Sequence, residues 1–147
     1  MHSVLILWAP DTAENRKVVD AVSSVFEDAK VTSLARKVAE ATIADLTTAE
    51  IIVFGTQKMS NGDLPADYSE CVRIFKGMTL AGRTAAFFSV GTERASARLR
   101  KALKDTEIAQ VDDDPVFSDQ KPGKSPEMSE WVRKIVGFHQ ESQHAGS

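Results

Sequence analysis

Hydroxyl and amide side chains cluster in three short loops, each of which follows an apolar stretch of the sequence. Thr12 and Asn15 lie in the first loop, residues 9–15, and further polar residues lie in the second and third loops, residues 56–62 and 91–93. These groups donate and accept hydrogen bonds. Because we find no nucleophile placed beside a general base in these loops, the expected chemistry is the binding of a ligand rather than catalysis.

Buried strands precede these loops. The runs at residues 3–8, 51–54 and 83–90 are apolar almost throughout, which is typical of strands in a parallel sheet that is covered on both faces. Weaker strands are predicted at residues 30–34 and 108–111, the latter interrupted at 112–115 and resumed at 116–117. Apolar residues at helical spacing predict a helix after each strand. The first helix follows the N-cap residue Thr12, the second is a short and ambiguous stretch near residues 42–46, and the others cover residues 65–77, 95–104 and 126–139.

Regular alternation of strands and helices predicts a three-layer α/β fold. We expect a parallel sheet of five strands that starts at its centre, with helices on both faces. Residues 1–140 would form one domain, and residues 141–147 a disordered polar tail. In such sheets ligands bind beyond the carboxyl ends of the strands where the strand order reverses, so the first two loops should face each other and the third should lie alongside.

Composition argues against several other classes of protein. The net charge of -3 offers no basic surface for nucleic acid, and no apolar run is long enough to cross a membrane. The N-terminus lacks the features of a signal peptide, and the single cysteine, Cys71, excludes an internal disulfide, so a cytoplasmic location is expected. One cysteine and three histidines without paired spacing predict no metal site.

Three stretches of the chain resemble the short-chain flavodoxins. They are residues 7–18 (LWAPDTAENRKV), residues 51–75, which begin with IIVFGT, and residues 80–92 (LAGRTAAFFSVGT). The resemblance implies a three-layer flavodoxin-like fold with the strand order 2-1-3-4-5. It implies flavin mononucleotide (FMN) as the cofactor. It also implies transfer of electrons between redox partner proteins, so that the chain would be an electron carrier rather than an enzyme with its own substrate.

The resemblance also implies the residues of the cofactor site. For the FMN phosphate these are Pro10, Asp11, Thr12, Ala13, Glu14 and Asn15. For the flavin ring they are Thr56, Gln57, Lys58, Met59, Asn61, Gly62, Gly91, Thr92 and Glu93.

The phosphate loop departs from the hydroxyl-rich and glycine-containing pattern of the family. Pro10 replaces the first hydroxyl residue and Ala13 the glycine, while Asp11 and Glu14 add negative charge where a dianion would bind. The second and third loops contain no aromatic residue to stack on a flavin. The loop is therefore interpreted as a degenerate form of the family's phosphate loop.

Two functions remain open at this point. The first is an FMN-binding electron-transfer protein that works between protein partners. The alternative is a flavodoxin-like binding or regulatory module that has lost or weakened FMN binding and recognises another protein partner. A simple helix cap explains Thr12 and Asn15 more economically than a role as phosphate ligands. The acidic segment 112–114 is either a surface that attracts a basic partner or a solvated loop.

Overall fold

The computed structural model describes residues 3–59, 64–118, 120–121 and 123–145. Within this part of the chain, strands and helices alternate as predicted. The strands are β1 (Ser3–Trp8), β2 (Thr32–Lys37), β3 (Ile51–Gln57), β4 (Thr84–Val90), β5 (Ala109–Gln110) and β6 (Val116–Phe117). The helices are α1 (Ala13–Asp28), α2 (Ile43–Thr48), α3 (Tyr68–Phe75), α4 (Ala97–Ala102) and α5 (Pro126–Ala145), with 3-10 turns at Val38–Glu40 and Lys104–Thr106.

The sheet is parallel, and its strands follow the order β2-β1-β3-β4-β5. β1 lies at the centre of the reversal because it pairs with β2 on one side and with β3 on the other. The predicted fold class is confirmed. The carboxyl ends of β1 and β3 are adjacent, with Trp8 beside Gly55 in the register.

Side chains of the central strands alternate between two hydrophobic cores. Val4, Ile6 and Trp8 of β1 face one core, which α1 and α5 cover. Leu5 and Leu7 face the other core, which contains residues of α2, α3 and α4. Because each strand is buried on both faces, its sequence is apolar throughout rather than alternating.

The last strand is divided into two short pieces that pair with opposite ends of β4. β5 pairs with Thr84 and Ala85, and β6 pairs with Ser89 and Val90. The intervening segment contains the acidic residues 112–114 and ends at Pro115, whose carbonyl accepts a hydrogen bond from the Ser89 amide (3.0 Å). The predicted interruption of this strand is confirmed.

Two element boundaries differ from the prediction in ways that matter here. β2 begins at Thr32 and continues to Lys37, because Lys30 takes a left-handed conformation (φ 63°) in the turn that ends α1. α5 continues to Ala145, past residue 140, where the sequence predicts that the domain ends. The Gln143 side chain donates to the Gly82 carbonyl (2.6 Å), which ties this last turn to the loop before β4.

Among the described residues, no helix combines the length and the apolar character that crossing a membrane would require.

Candidate functional site

The first loop leaves the sheet at Ala9, which is buried. Its amide donates to the Gly55 carbonyl (3.3 Å), so the loop is joined to the end of β3 from its first residue. The Ala9–Pro10 peptide bond is cis. The chain then turns into α1, and the Thr12 amide donates to the Pro10 carbonyl (3.0 Å).

Thr12 and Asn15 hold the start of α1 together. The Thr12 hydroxyl oxygen accepts a hydrogen bond from the Asn15 amide (3.1 Å), which confirms Thr12 as the N-cap. The side-chain amide of Asn15 donates to the Pro10 carbonyl (2.8 Å) and closes the loop on itself. Asn15 is 2% exposed, and its Oδ1 atom has no hydrogen-bond partner among the described residues.

Asp11 lies at the outer edge of this loop and accepts from two cations. Its carboxylate is 3.3 Å from the Arg16 guanidinium and 3.2 Å from the Lys37 ammonium. Lys37 also pairs with Glu40 (3.2 Å). Hydrogen bonds to Glu40 and to Asp11 raise the pKa of Lys37 above its usual value. The positive charge near the start of α1 is therefore already paired with carboxylates of the chain.

The end of β3 forms the second part of the site. This strand continues past its predicted end at Gly55 and ends at Gln57. Its last three residues pair with β4 in the register Gly55–Phe88, Thr56–Ser89 and Gln57–Val90. Thr56 is 1% exposed, and its hydroxyl oxygen has no hydrogen-bond partner among the described residues. An unsatisfied buried hydroxyl at a strand end is an uncommon feature of a folded chain.

Tyr68 of α3 contacts the ends of both β1 and β3. Its hydroxyl donates to the Gly55 carbonyl at 2.7 Å and lies 3.3 Å from the Leu7 carbonyl. Burial raises the pKa of Tyr68 well above its usual value, and the nearby Cys71 adds to this effect, so the phenol stays neutral and donates. The sequence predicts the helix that contains Tyr68 but not this hydrogen bond.

The third loop begins where β4 ends. Gly91 has φ 116°, a conformation that residues with a side chain rarely adopt, and its amide donates to the Phe117 carbonyl (3.0 Å). Ser89 is fully buried, and its hydroxyl oxygen accepts from the Ala95 amide (2.8 Å). These bonds hold the loop against the sheet edge. Ser89 is another residue that the sequence analysis does not single out.

A cavity of about 420 Å³ lies between the second and third loops. Most of the predicted ring-binding residues line it, namely Gln57, Lys58, Met59, Gly91, Thr92 and Glu93, together with Val90. An ion pair between Lys58 and Glu93 (2.9 Å) spans the two loops, and both side chains are more than half exposed. Asn61 and Gly62 fall outside the described residues.

The cavity and the first loop differ in how well they suit FMN. The cavity has the volume of a small-molecule site, which is typically about 300–1,000 Å³, and it offers backbone groups and the Met59 thioether to a flat ring. The first loop retains a helix N-terminus, the feature that suits a phosphate. However, it places the Asp11 carboxylate there and has no N–H on Pro10. The ring therefore fits this site better than the phosphate does.

Two cations near the loop show how much of the site the sequence predicted. Arg16 turns back toward the first loop, but it pairs with Asp11 there. Lys37 is missed because the predicted second strand stops at residue 34. The sequence of Thr32–Lys37 has no regular alternation of apolar and polar residues that would extend the strand to Lys37, although exposed and half-buried side chains alternate along it in the folded chain.

The strand order of this parallel sheet is that of a flavodoxin-like fold, with a cavity at the carboxyl ends of β3 and β4, and solved structures agree with the fold. A short-chain flavodoxin associated with a PDU bacterial microcompartment superimposes with a TM-score of 0.77 at 15% identity, covering 97% of this chain and 99% of that one. A Streptococcus pneumoniae flavodoxin gives 0.72 at 16% identity, covering 99% of both chains. A Fusobacterium nucleatum flavodoxin bound to flavin mononucleotide gives 0.74 at 11% identity, covering 94% of this chain and 99% of that one.

No family model matches this sequence, and no curated protein shows significant similarity to it. At these identities the structural matches establish the fold.

Proposed function

We propose that this chain is an electron-transfer protein that binds FMN at the carboxyl ends of its strands and exchanges electrons with protein partners in the cytoplasm. The observation that carries the proposal is the cavity of about 420 Å³ between the carboxyl ends of β3 and β4. It lies where ligands bind in folds of this kind. The similar Fusobacterium nucleatum flavodoxin is described as bound to flavin mononucleotide.

The flavin ring would lie between the second and third loops. Met59 supplies an apolar and polarizable contact, and the Gly91 conformation brings backbone close to the cavity without a side chain in the way. The bonds of Ser89 and Tyr68 hold the two strand ends in place before any ligand binds. FMN would supply the redox chemistry, and the chain would bind, orient and partly shield it.

The Lys58–Glu93 ion pair gives this edge a charged and exposed rim. Exposed charges steer transient partners toward a site without strengthening the complex greatly. This rim is consistent with brief contacts between the chain and redox partner proteins.

A second function is favoured by the first loop. Asp11 occupies the region that a phosphate would take, and no aromatic side chain is among the described residues lining the cavity. These features suit a flavodoxin-like binding or regulatory module that binds FMN weakly or not at all. The two functions differ in one measurable property, the affinity for flavin.

The test is a titration of the purified apo-protein with FMN, followed by quenching of flavin fluorescence. Met59→Tyr adds an aromatic surface to the cavity wall and should tighten binding about fivefold or more, since stacking on an aromatic ring contributes about 1–3 kcal/mol per base. Ile43→Tyr, which changes an exposed residue of α2, is the matched control and should leave the affinity unchanged. Equal effects of the two variants would place the ring elsewhere.

A further inference from the structure

The start of α1 is where a phosphate attached to the bound flavin would have to lie. α1 is the long helix that follows β1, and its N-terminus opens at the reversal point of the sheet. The groups available to a phosphate at this position are therefore those of Pro10, Asp11, Thr12 and the first turn of α1.

Few side-chain donors remain free at this position. Pro10 has no N–H, and the side-chain amide of Asn15 is buried and already donates to the Pro10 carbonyl. The Asn15 amide donates to the Thr12 hydroxyl oxygen, so the hydroxyl hydrogen of Thr12 is the one hydroxyl donor in residues 10–15. A phosphate would find the helix N-terminus and one hydroxyl.

The local charge opposes a dianion. Asp11 carries a carboxylate at the loop edge, and Glu14 is exposed in the first turn of α1. Arg16 and Lys37 lie beside this loop and could compensate, but both pair with Asp11, and Lys37 also pairs with Glu40. The favourable field of the helix N-terminus is thus largely offset by the chain's own carboxylates.

We propose that this chain recognises a flavin through its ring end and gains little from the terminal phosphate, so that it binds riboflavin about as tightly as FMN. The ligand class is then the flavins in general rather than the phosphorylated cofactor alone. This inference rests on the proposed flavin-binding function and concerns the phosphate end of the same site.

Parallel titrations of the full chain with riboflavin and with FMN, at low ionic strength, test this inference. The proposal predicts dissociation constants that differ by less than about tenfold. FMN binding that is tighter by tenfold or more would overturn the inference and leave the proposed function intact. Binding of neither flavin would overturn the proposed function and the inference together.

Asp11→Asn tests whether the Asp11 carboxylate causes the weak discrimination between FMN and riboflavin. Removing the carboxylate releases Arg16, leaves Lys37 paired with Glu40 alone and removes one repulsive charge, so FMN affinity should rise about fivefold while riboflavin affinity stays unchanged. The gain should shrink at high salt, because exposed charges are screened.

Asp20→Asn removes the same charge from an exposed position further along α1 and is the matched control. It should change neither affinity. If Asp11→Asn also leaves FMN affinity unchanged, or if it changes both flavins alike, the phosphate does not lie at the start of α1 and the inference is wrong.

Discussion

At the residue scale, the lack of a side chain at Gly55 constrains the packing beneath the site. A Cβ atom at this position would lie 2.4 Å from the Phe88 ring. That ring cannot move freely, because Phe117 and Trp131 pack on it with centroids at 5.8 and 5.7 Å. The absence of a side chain at the end of β3 therefore lets an aromatic cluster support the strands beneath the cavity.

Gly55→Ala should lower the free energy of unfolding by about 1–3 kcal/mol, the usual cost of overpacking a core. Denaturation with urea measures it. Gly77→Ala is the control, since a Cβ there meets nothing within 4 Å, and it should change stability by less than about 0.5 kcal/mol. A shorter residue at position 88, as in Phe88→Leu, should reduce the effect of Gly55→Ala. Equal stability of the two glycine variants would contradict this account of Gly55.

Cys71 and Tyr68 should make the fold less stable at alkaline pH. Burial raises the pKa of Cys71 from 9.0 to about 12, and burial likewise raises the pKa of Tyr68 well above 10.0. Above pH 9 the unfolded chain loses these protons before the folded chain does. Stability is therefore fully present below pH 9 and falls as pH rises, with a limiting slope of about 1.4 kcal/mol per pH unit for each group.

Urea denaturation from pH 7 to pH 11 should show this loss begin near pH 9. Cys71→Ala removes one of the two groups, so its stability should fall less steeply with pH even if it is lower at pH 7. Parallel pH profiles for Cys71→Ala and the unaltered chain would show that the thiol does not contribute.

At the scale of the elements, Arg100 of α4 organises the segment that divides the last strand. Its guanidinium donates to the carbonyls of Val111 (2.9 Å) and Asp113 (3.0 Å) and lies 4.4 Å from the Phe87 ring centroid. Asp114 in turn accepts from the Ser96 hydroxyl (2.6 Å). The acidic segment is thus anchored in the fold, although Lys134 pairs with the exposed side of Asp113 (3.2 Å).

Arg100→Lys should cost about 1–3 kcal/mol of stability, because an ammonium group cannot reproduce the forked contacts of a guanidinium with two carbonyls and a ring. Hydrogen exchange at residues 111–115 should become faster. Arg133→Lys, at an exposed position of α5, should change neither property. Unchanged exchange in Arg100→Lys would show that the segment is held by other contacts.

At the scale of the whole molecule, the parallel sheet could be predicted from the sequence because long apolar runs such as β3 and β4 are typical of strands buried on both faces. The strand order was predicted from the resemblance to the short-chain flavodoxins. The split of the last strand was also predictable, since acidic residues followed by a proline interrupt an apolar run. The contacts of Arg100 could not be predicted, because they join residues of different elements.

The candidate site was predictable in position but not in its internal bonds. The three loops were located by the strands they follow. The pairing of Asp11 with Lys37 depends on the length of β2, and the bond from Tyr68 to Gly55 joins residues on different elements. Neither contact leaves a periodic pattern in the sequence, so only the folded structure shows that the Asp11 carboxylate near the start of α1 is paired with Lys37.

Our central proposal is that a flavin binds at the carboxyl ends of β3 and β4. The most direct measurement is the absorption spectrum of the purified protein together with a fluorescence titration of the apo-protein with FMN. We expect saturable quenching of flavin fluorescence, and a higher affinity for FMN in Met59→Tyr but not in Ile43→Tyr. A colourless protein that does not quench flavin fluorescence at high micromolar FMN would contradict it and would favour the binding module instead.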